Sequence, residues 1–117
     1  MYNRNKYTQI IIKNKVWNIE TLKDLLKRNN KAVERAILLI YSFQTYEEKT
    51  YGHTGIKNGK GFNRVDANIL SSFAEQLNRG YNLSEKQLNI ARIRILKYTG
   101  QIFNYMLNKK KINTRNK

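Results

Sequence analysis

The chain has 117 residues, with 23 Lys and Arg against 8 Asp and Glu, a formal net charge of +15, and no cysteine. That length holds one domain with a modest core, and an apolar share of 40% is too high for a disordered chain. Without cysteine neither a disulfide framework nor a thiolate metal site can form. The longest apolar run, "AILLIY", is too short to span a membrane, and no signal-peptide pattern is visible. A single-domain cytoplasmic protein with no membrane association is the expectation.

The predicted elements begin with "YTQIIIKNKVWN". Ile10 to Ile12 and Val16 to Trp17 are β-branched or aromatic and are separated by Lys13-Asn14-Lys15, which predicts a short hairpin. Two strands are marginal alone, so the hairpin must pack on helices. In "NIETLKDLLKRNN", Asn18 is a suitable N-cap, and Ile19, Leu22, Leu25 and Leu26 form one helical stripe that ends at Asn29-Asn30. The next segment, "KAVERAILLIYSFQTYEEKT", repeats apolar residues at Val33, Ala36, Ile37, Ile40 and Phe43. Leu38 and Leu39 make it apolar around most of its circumference, which suits a central helix.

Residues 46–61 form the longest predicted gap, broken by Gly52, Gly55, Gly59 and Gly61. The loop resembles a phosphate-gripping P-loop only superficially. Gly55 and Gly59-Lys60 are one residue too close, Gly61 stands where a magnesium-binding hydroxyl belongs, and "YEEKTYGHT" is not a buried strand. Instead Asn63 reads as an N-cap, with Asp66 three residues on in a capping-box-like arrangement and Phe62 placed as a staple. Val65, Ile69, Leu70, Phe73, Ala74 and Leu77 then trace one face, and Gly80 ends the helix.

The last helix is predicted to be the longest. Ser84 and Gln87 form a capping box, and Leu88, Ala91, Ile95, Tyr98, Ile102 and Met106 make a core stripe. Lys86, Arg94, Lys97 and Gln101 fall within a narrow arc on the far side, with Arg92 at its other margin. Ile90 and Ile93 lie off the core stripe, so this helix is either flanked on more than one side or exposes apolar surface. The segment "KKKINTRNK" has little core content and is expected to be mobile until bound.

The basic surplus is unevenly placed. All eight acids lie in residues 18–85, leaving residues 1–17 and everything from Lys86 onward acid-free. Basic blocks of this kind are the footprint expected for a nucleic-acid partner; the alternative is a solvated charged face with a loose tail. His53 is the only histidine and cannot complete a metal site alone, and no nucleophile-elbow motif is present. Glu47 and Glu48 are sequence neighbours that diverge on a helix, which argues against paired acid–base work. No enzyme activity and no cofactor are expected. Among the eight tyrosines, Tyr46 and Tyr51 are candidates for stacking on unpaired bases, while Tyr98 reads as a core residue with a wet hydroxyl.

Three separated blocks within residues 35–102 carry a further signal: "RAILLIYSFQTYEEK", "NGKGFNRVDANILSSFAEQL" and "LSEKQLNIARIRILKYTGQI". Arg35, Ala36, Gln44, Thr45, Glu48, Asn58, Gly59, Gly61, Phe62, Asp66, Ala67, Leu83, Ser84, Lys86, Gln87, Ala91, Arg92, Lys97, Tyr98 and Gln101 form a pattern that resembles a family of small phage and mobile-element proteins. Related modules occur fused to helicase-like phage proteins, which implies a nucleic-acid context inside a host cell. Lys60 departs from the pattern, where a small apolar residue is expected, and places an extra charge in the loop. Gln44, Thr45, Asn58, Asp66, Lys97 and Gln101 are not needed for a core; they are expected either to fix the glycine loop as a buried polar network or to line a nucleic-acid groove.

The resulting expectation is a mainly α, single-domain fold over residues 1–108, with about four helices and a small N-terminal β-hairpin, followed by a basic flexible tail at 109–117. DNA or RNA binding through Lys57, Lys60, Arg64, Arg92, Arg94, Lys97, Lys109, Lys110 and Lys111, aided by Tyr46 and Tyr51, is the leading functional reading. The alternative is a protein-binding module that inhibits a host defence or replication protein, and a homodimer burying Ile90 and Ile93 is compatible with either.

Overall fold

A computed structural model describes the backbone of residues 9–51 and 61–115 and the side chains of residues 9–44 and 61–109. Among these residues the chain is mainly helical, with an N-terminal hairpin, as the sequence predicts. Strands β1 (Ile10–Ile12) and β2 (Lys15–Trp17) pair antiparallel, with Ile10 opposite Trp17 and Ile12 opposite Lys15. The turn is tighter than expected: Lys13 and Asn14 alone make it, both at positive φ (51° and 66°), and Lys15 belongs to the strand. Two positive-φ residues give the twist that matches paired strands. Ile10 and Trp17 pack against the core, and the Lys15 ammonium lies 4.6 Å from the Trp17 ring centroid.

Helix α1 (Ile19–Arg28) starts at Asn18, whose side chain accepts from the Thr21 N–H while Thr21 Oγ1 accepts from the Asn18 N–H. This reciprocal cap satisfies two N-terminal donors at once. Leu22 and Leu26 form its buried face. Helix α2 (Asn30–Tyr51) is the central element, with Val33, Ile37 and Ile40 fully buried. It packs chiefly against α3 (Arg64–Asn78) and α4 (Glu85–Ile95). Because α2 runs on to Tyr51, the expected gap loses its first six residues to helix.

The single long C-terminal helix expected from the sequence is divided. A 3-10 turn at Leu96–Tyr98 separates α4 from α5 (Thr99–Arg115), and the buried Thr99 hydroxyl donates to the Leu96 carbonyl at 2.7 Å. The two halves then differ. In α5, Ile102 and Phe103 are both buried, because the helix is covered by α1 and α2. In α4, Leu88, Ala91 and Ile95 face the core while Ile90 and Ile93 stay exposed. The α5 backbone remains helical through Lys109–Lys111, residues expected to leave the fold as a tail.

The connection between α3 and α4 is pinned by amides. Gln76 and Gln87 hydrogen-bond reciprocally at 3.0 and 2.9 Å, and Gln76 Nε2 also donates to the Asn82 carbonyl. The buried Glu34 of α2 accepts from the Leu83 N–H at 3.0 Å, which ties this turn to the central helix.

Candidate nucleic-acid interface

The best-defined polar site centres on Asp66, whose side chain is 0% exposed. Its position follows from helical phase. Asp66, Leu70, Phe73, Ala74 and Leu77 recur at three- and four-residue intervals, so Asp66 occupies the first turn of the core stripe of α3. Val65, expected on that stripe, is exposed instead.

A buried carboxylate needs donors on both oxygens. Arg94 Nη1 lies 2.7 Å from Oδ1 and Lys97 Nζ lies 2.8 Å from Oδ2. The Tyr98 hydroxyl donates to Oδ2 at 2.7 Å and accepts from the Asn63 backbone N–H at 2.9 Å. Asn63 caps α3 as expected, accepting from the Asp66 N–H at 2.9 Å. The expected return bond from Asp66 to the Asn63 N–H is not direct: the Tyr98 hydroxyl is inserted between them. Tyr98 is a core ring, as expected, but its hydroxyl is a buried relay rather than wet, and Phe62 packs edge-on against it with ring centroids 5.6 Å apart.

These contacts fix the protonation states. Burial pushes the Asp66 carboxyl upward, but hydrogen bonds from Lys97, Tyr98 and Arg94 outweigh it and hold the group below its ordinary value. Burial, with the adjacent Asp66 carboxylate, pushes the Tyr98 phenol above its ordinary range. At neutral pH the site is thus an ionised, saturated acceptor beside a firmly held phenolic proton. Its chemical capacity lies in the cations: Arg94 and Lys97 keep 35% and 49% of their side-chain surface exposed. Arg64 is exposed in the first turn of α3, two residues before Asp66 in sequence.

The polar network also reaches the glycine segment. Gln101 Oε1 accepts from the Gly61 N–H at 2.9 Å while its Nε2 donates to the Gly61 carbonyl at 3.1 Å. Gly61 has φ +91°, and a Cβ there would meet Gln44 Cβ at 3.2 Å. Gln44 Nε2 in turn contacts Ser71 Oγ at 3.3 Å. Gln101 and Gln44 therefore meet at Gly61, while Asp66 and Lys97 pair with each other beside Tyr98; the side chains of Thr45 and Asn58 lie outside the described residues.

The remaining candidates separate. Arg92 does not join Arg94: its Nε donates to the Leu26 carbonyl at 3.1 Å and its Nη2 to Asn30 Oδ1, so it closes the C-terminal end of α1. Two of its donors are thereby engaged within the fold. Lys109 is exposed on α5 with its ammonium 5.5 Å from the Tyr105 ring centroid. Tyr46, Tyr51, Lys110 and Lys111 sit on helical backbone, but their side chains lie outside the described residues, as do Lys57, Lys60 and His53.

Among the described residues no group of His, Cys, Asp and Glu could hold a metal ion, and no helix is long and apolar enough to cross a membrane. Comparison with protein-family models, with curated proteins and with solved structures finds no match.

Proposed function

We propose that this protein binds nucleic acid without catalysis, gripping phosphates through cations fixed by a buried acid. The observation that carries this reading is Asp66 holding Arg94 and Lys97 on its two oxygens while both side chains stay partly exposed. Each head group retains further N–H donors for a phosphate, because a guanidinium has five and an ammonium three. Preorganising long side chains removes part of the rotamer cost of binding. The local surplus of cations agrees with the overall charge of +15, which a polyanionic partner would neutralise. The saturated Asp66 and the high-pKa Tyr98 suit this role better than proton transfer, since neither exchanges a proton near neutral pH.

The resemblance of residues 35–102 to small phage and mobile-element proteins supplies the proposed setting, in the cytoplasm of a host cell. The test is an electrophoretic shift with short random DNA and RNA at low salt. Retarded complexes that dissolve as salt rises support the proposal; no shift with any polyanion refutes it and turns attention to a protein partner.

A further inference from the structure

The outward face of α4 combines charge and apolar surface in a way that core packing does not explain. At about 100° per residue, Lys86, Ile90, Ile93 and Arg94 fall within an arc of about 100°, with Asn89 at its margin. Lys97 continues the face one turn on. Leu88, Ala91 and Ile95 occupy the opposite side against the core. Ile93 is 73% and Ile90 36% exposed, and Asn89 and Lys86 are exposed as well. The strip holds no acidic residue, and Lys86 forms no ion pair among the described residues.

We propose that this face is the reading element of the protein and enters the major groove of B-form DNA, an inference that rests on the nucleic-acid reading above. Lys86 and Arg94 lie eight residues apart, about 12 Å along the helix axis. The major groove is about 12 Å wide and admits an α-helix, so with the strip inserted the cations at its two ends come within side-chain reach of the flanking phosphates. Between them the strip offers Asn89, Ile90 and Ile93. An asparagine amide matches the N6 and N7 edge of adenine, and aliphatic carbons match the methyl group of thymine. The strip lacks an aromatic ring, so it offers no stacking platform for unpaired bases. The deep, narrow major groove of A-form RNA would not admit it. B-form duplex DNA with A·T pairs is the occupant that this set of side chains fits.

The probes are duplexes of about 20 base pairs, A·T-rich and G·C-rich, with the matching single strands and double-stranded RNA, titrated by fluorescence anisotropy at one fixed salt concentration. The expected result is A·T-rich duplex DNA bound about tenfold or more tighter than the single strands or the RNA duplex. Ile93→Glu, which sets a carboxylate among the phosphates, should weaken duplex binding about tenfold or more. The double variant Asn89→Ala, Ile93→Ala should erase the A·T preference while leaving single-strand affinity unchanged. Both positions are exposed, and an unchanged melting temperature verifies the fold. Equal or tighter binding of single strands or RNA, or an Ile93→Glu variant that binds DNA like the parent, would overturn the inference while leaving nucleic-acid binding intact. A dimer in sedimentation that Ile93→Glu dissociates would also overturn it, because the face would then be covered. If no polyanion binds, the broader functional reading fails with it.

Discussion

The hydroxyl of Tyr98 lies 2.7 Å from Asp66 Oδ2, with both groups buried, and this contact joins the head of α3 to the 3-10 turn that ends α4. The same hydroxyl receives the Asn63 N–H, so one oxygen serves both a helix cap and a buried carboxylate. Removing it by Tyr98→Phe leaves a backbone donor and a carboxylate oxygen each short of a partner. The expected cost is about 1–3 kcal/mol, measured by urea unfolding. A cost indistinguishable from zero would mean that the relay is not formed.

Asp66→Asn removes one partner of a buried ion-pair cluster. Such losses cost about 3–5 kcal/mol, and the low end applies because Arg94 and Lys97 are partly exposed and can rehydrate. The effect on binding separates two accounts. The substitution raises the net charge, so bulk electrostatics alone would tighten nucleic-acid binding. If Asp66 positions its cations, binding should weaken severalfold in a variant that calorimetry shows to be folded.

Stability should fall in acid through the same group. The Asp66 carboxyl sits below its ordinary value of 3.8 in the folded chain, so the folded state binds fewer protons there than the unfolded state. Its contribution is complete above the unfolded value near pH 4 and is lost as pH falls through the lower folded value. The stability gap between the parent and Asp66→Asn should therefore be widest at neutral pH and shrink below pH of about 4. A gap that stays constant into acid would contradict the assigned ionisation.

Gly61 and Gly80 both have positive φ but differ in surroundings. A Cβ at Gly61 meets Gln44 at 3.2 Å, whereas one at Gly80 meets nothing within 4 Å. Gly80→Ala should cost the backbone strain alone, about 1 kcal/mol. Gly61→Ala should cost more, about 2–3 kcal/mol, because it also crowds Gln44 and disturbs the Gln101 clamp. Melting temperatures of the two variants give the comparison, and an equal loss would remove the role assigned to the close approach.

The caps and core stripes of the regular elements were legible because each is a local pattern. Asn18, Asn63 and Ser84 announce helix starts, and apolar residues at three- and four-residue spacing locate the buried faces of α1 and α2. Asp66 was legible only in part. Its phase with Leu70, Phe73 and Leu77 places it on the buried stripe, but polarity argued for a surface cap, and Val65 took its place in the expected face. What pulls Asp66 inward are Arg94, Lys97 and Tyr98, about 30 residues away, and no local rule reports such partners. The 3-10 turn is similarly hidden, because Leu96 to Tyr98 continue a helical pattern and the turn shows only through the buried Thr99 hydroxyl on the Leu96 carbonyl. Arg92 and Arg94 are nearly adjacent in sequence yet leave α4 on different sides, one toward α1 and the other toward α3. Charge counting could not distinguish them.

The central claim is tested most directly by the salt dependence of binding to duplex DNA in two chains: the parent, and a variant that replaces the carboxylate together with its cations (Asp66→Asn, Arg94→Gln, Lys97→Gln). Each phosphate neutralised contributes about 0.9 to the slope of log affinity against log salt. The parent should show a slope of about −3 or steeper, and the variant should bind more weakly with a slope shallower by about 2. Identical slopes in the two chains, or a parent affinity that salt does not change, would contradict the account.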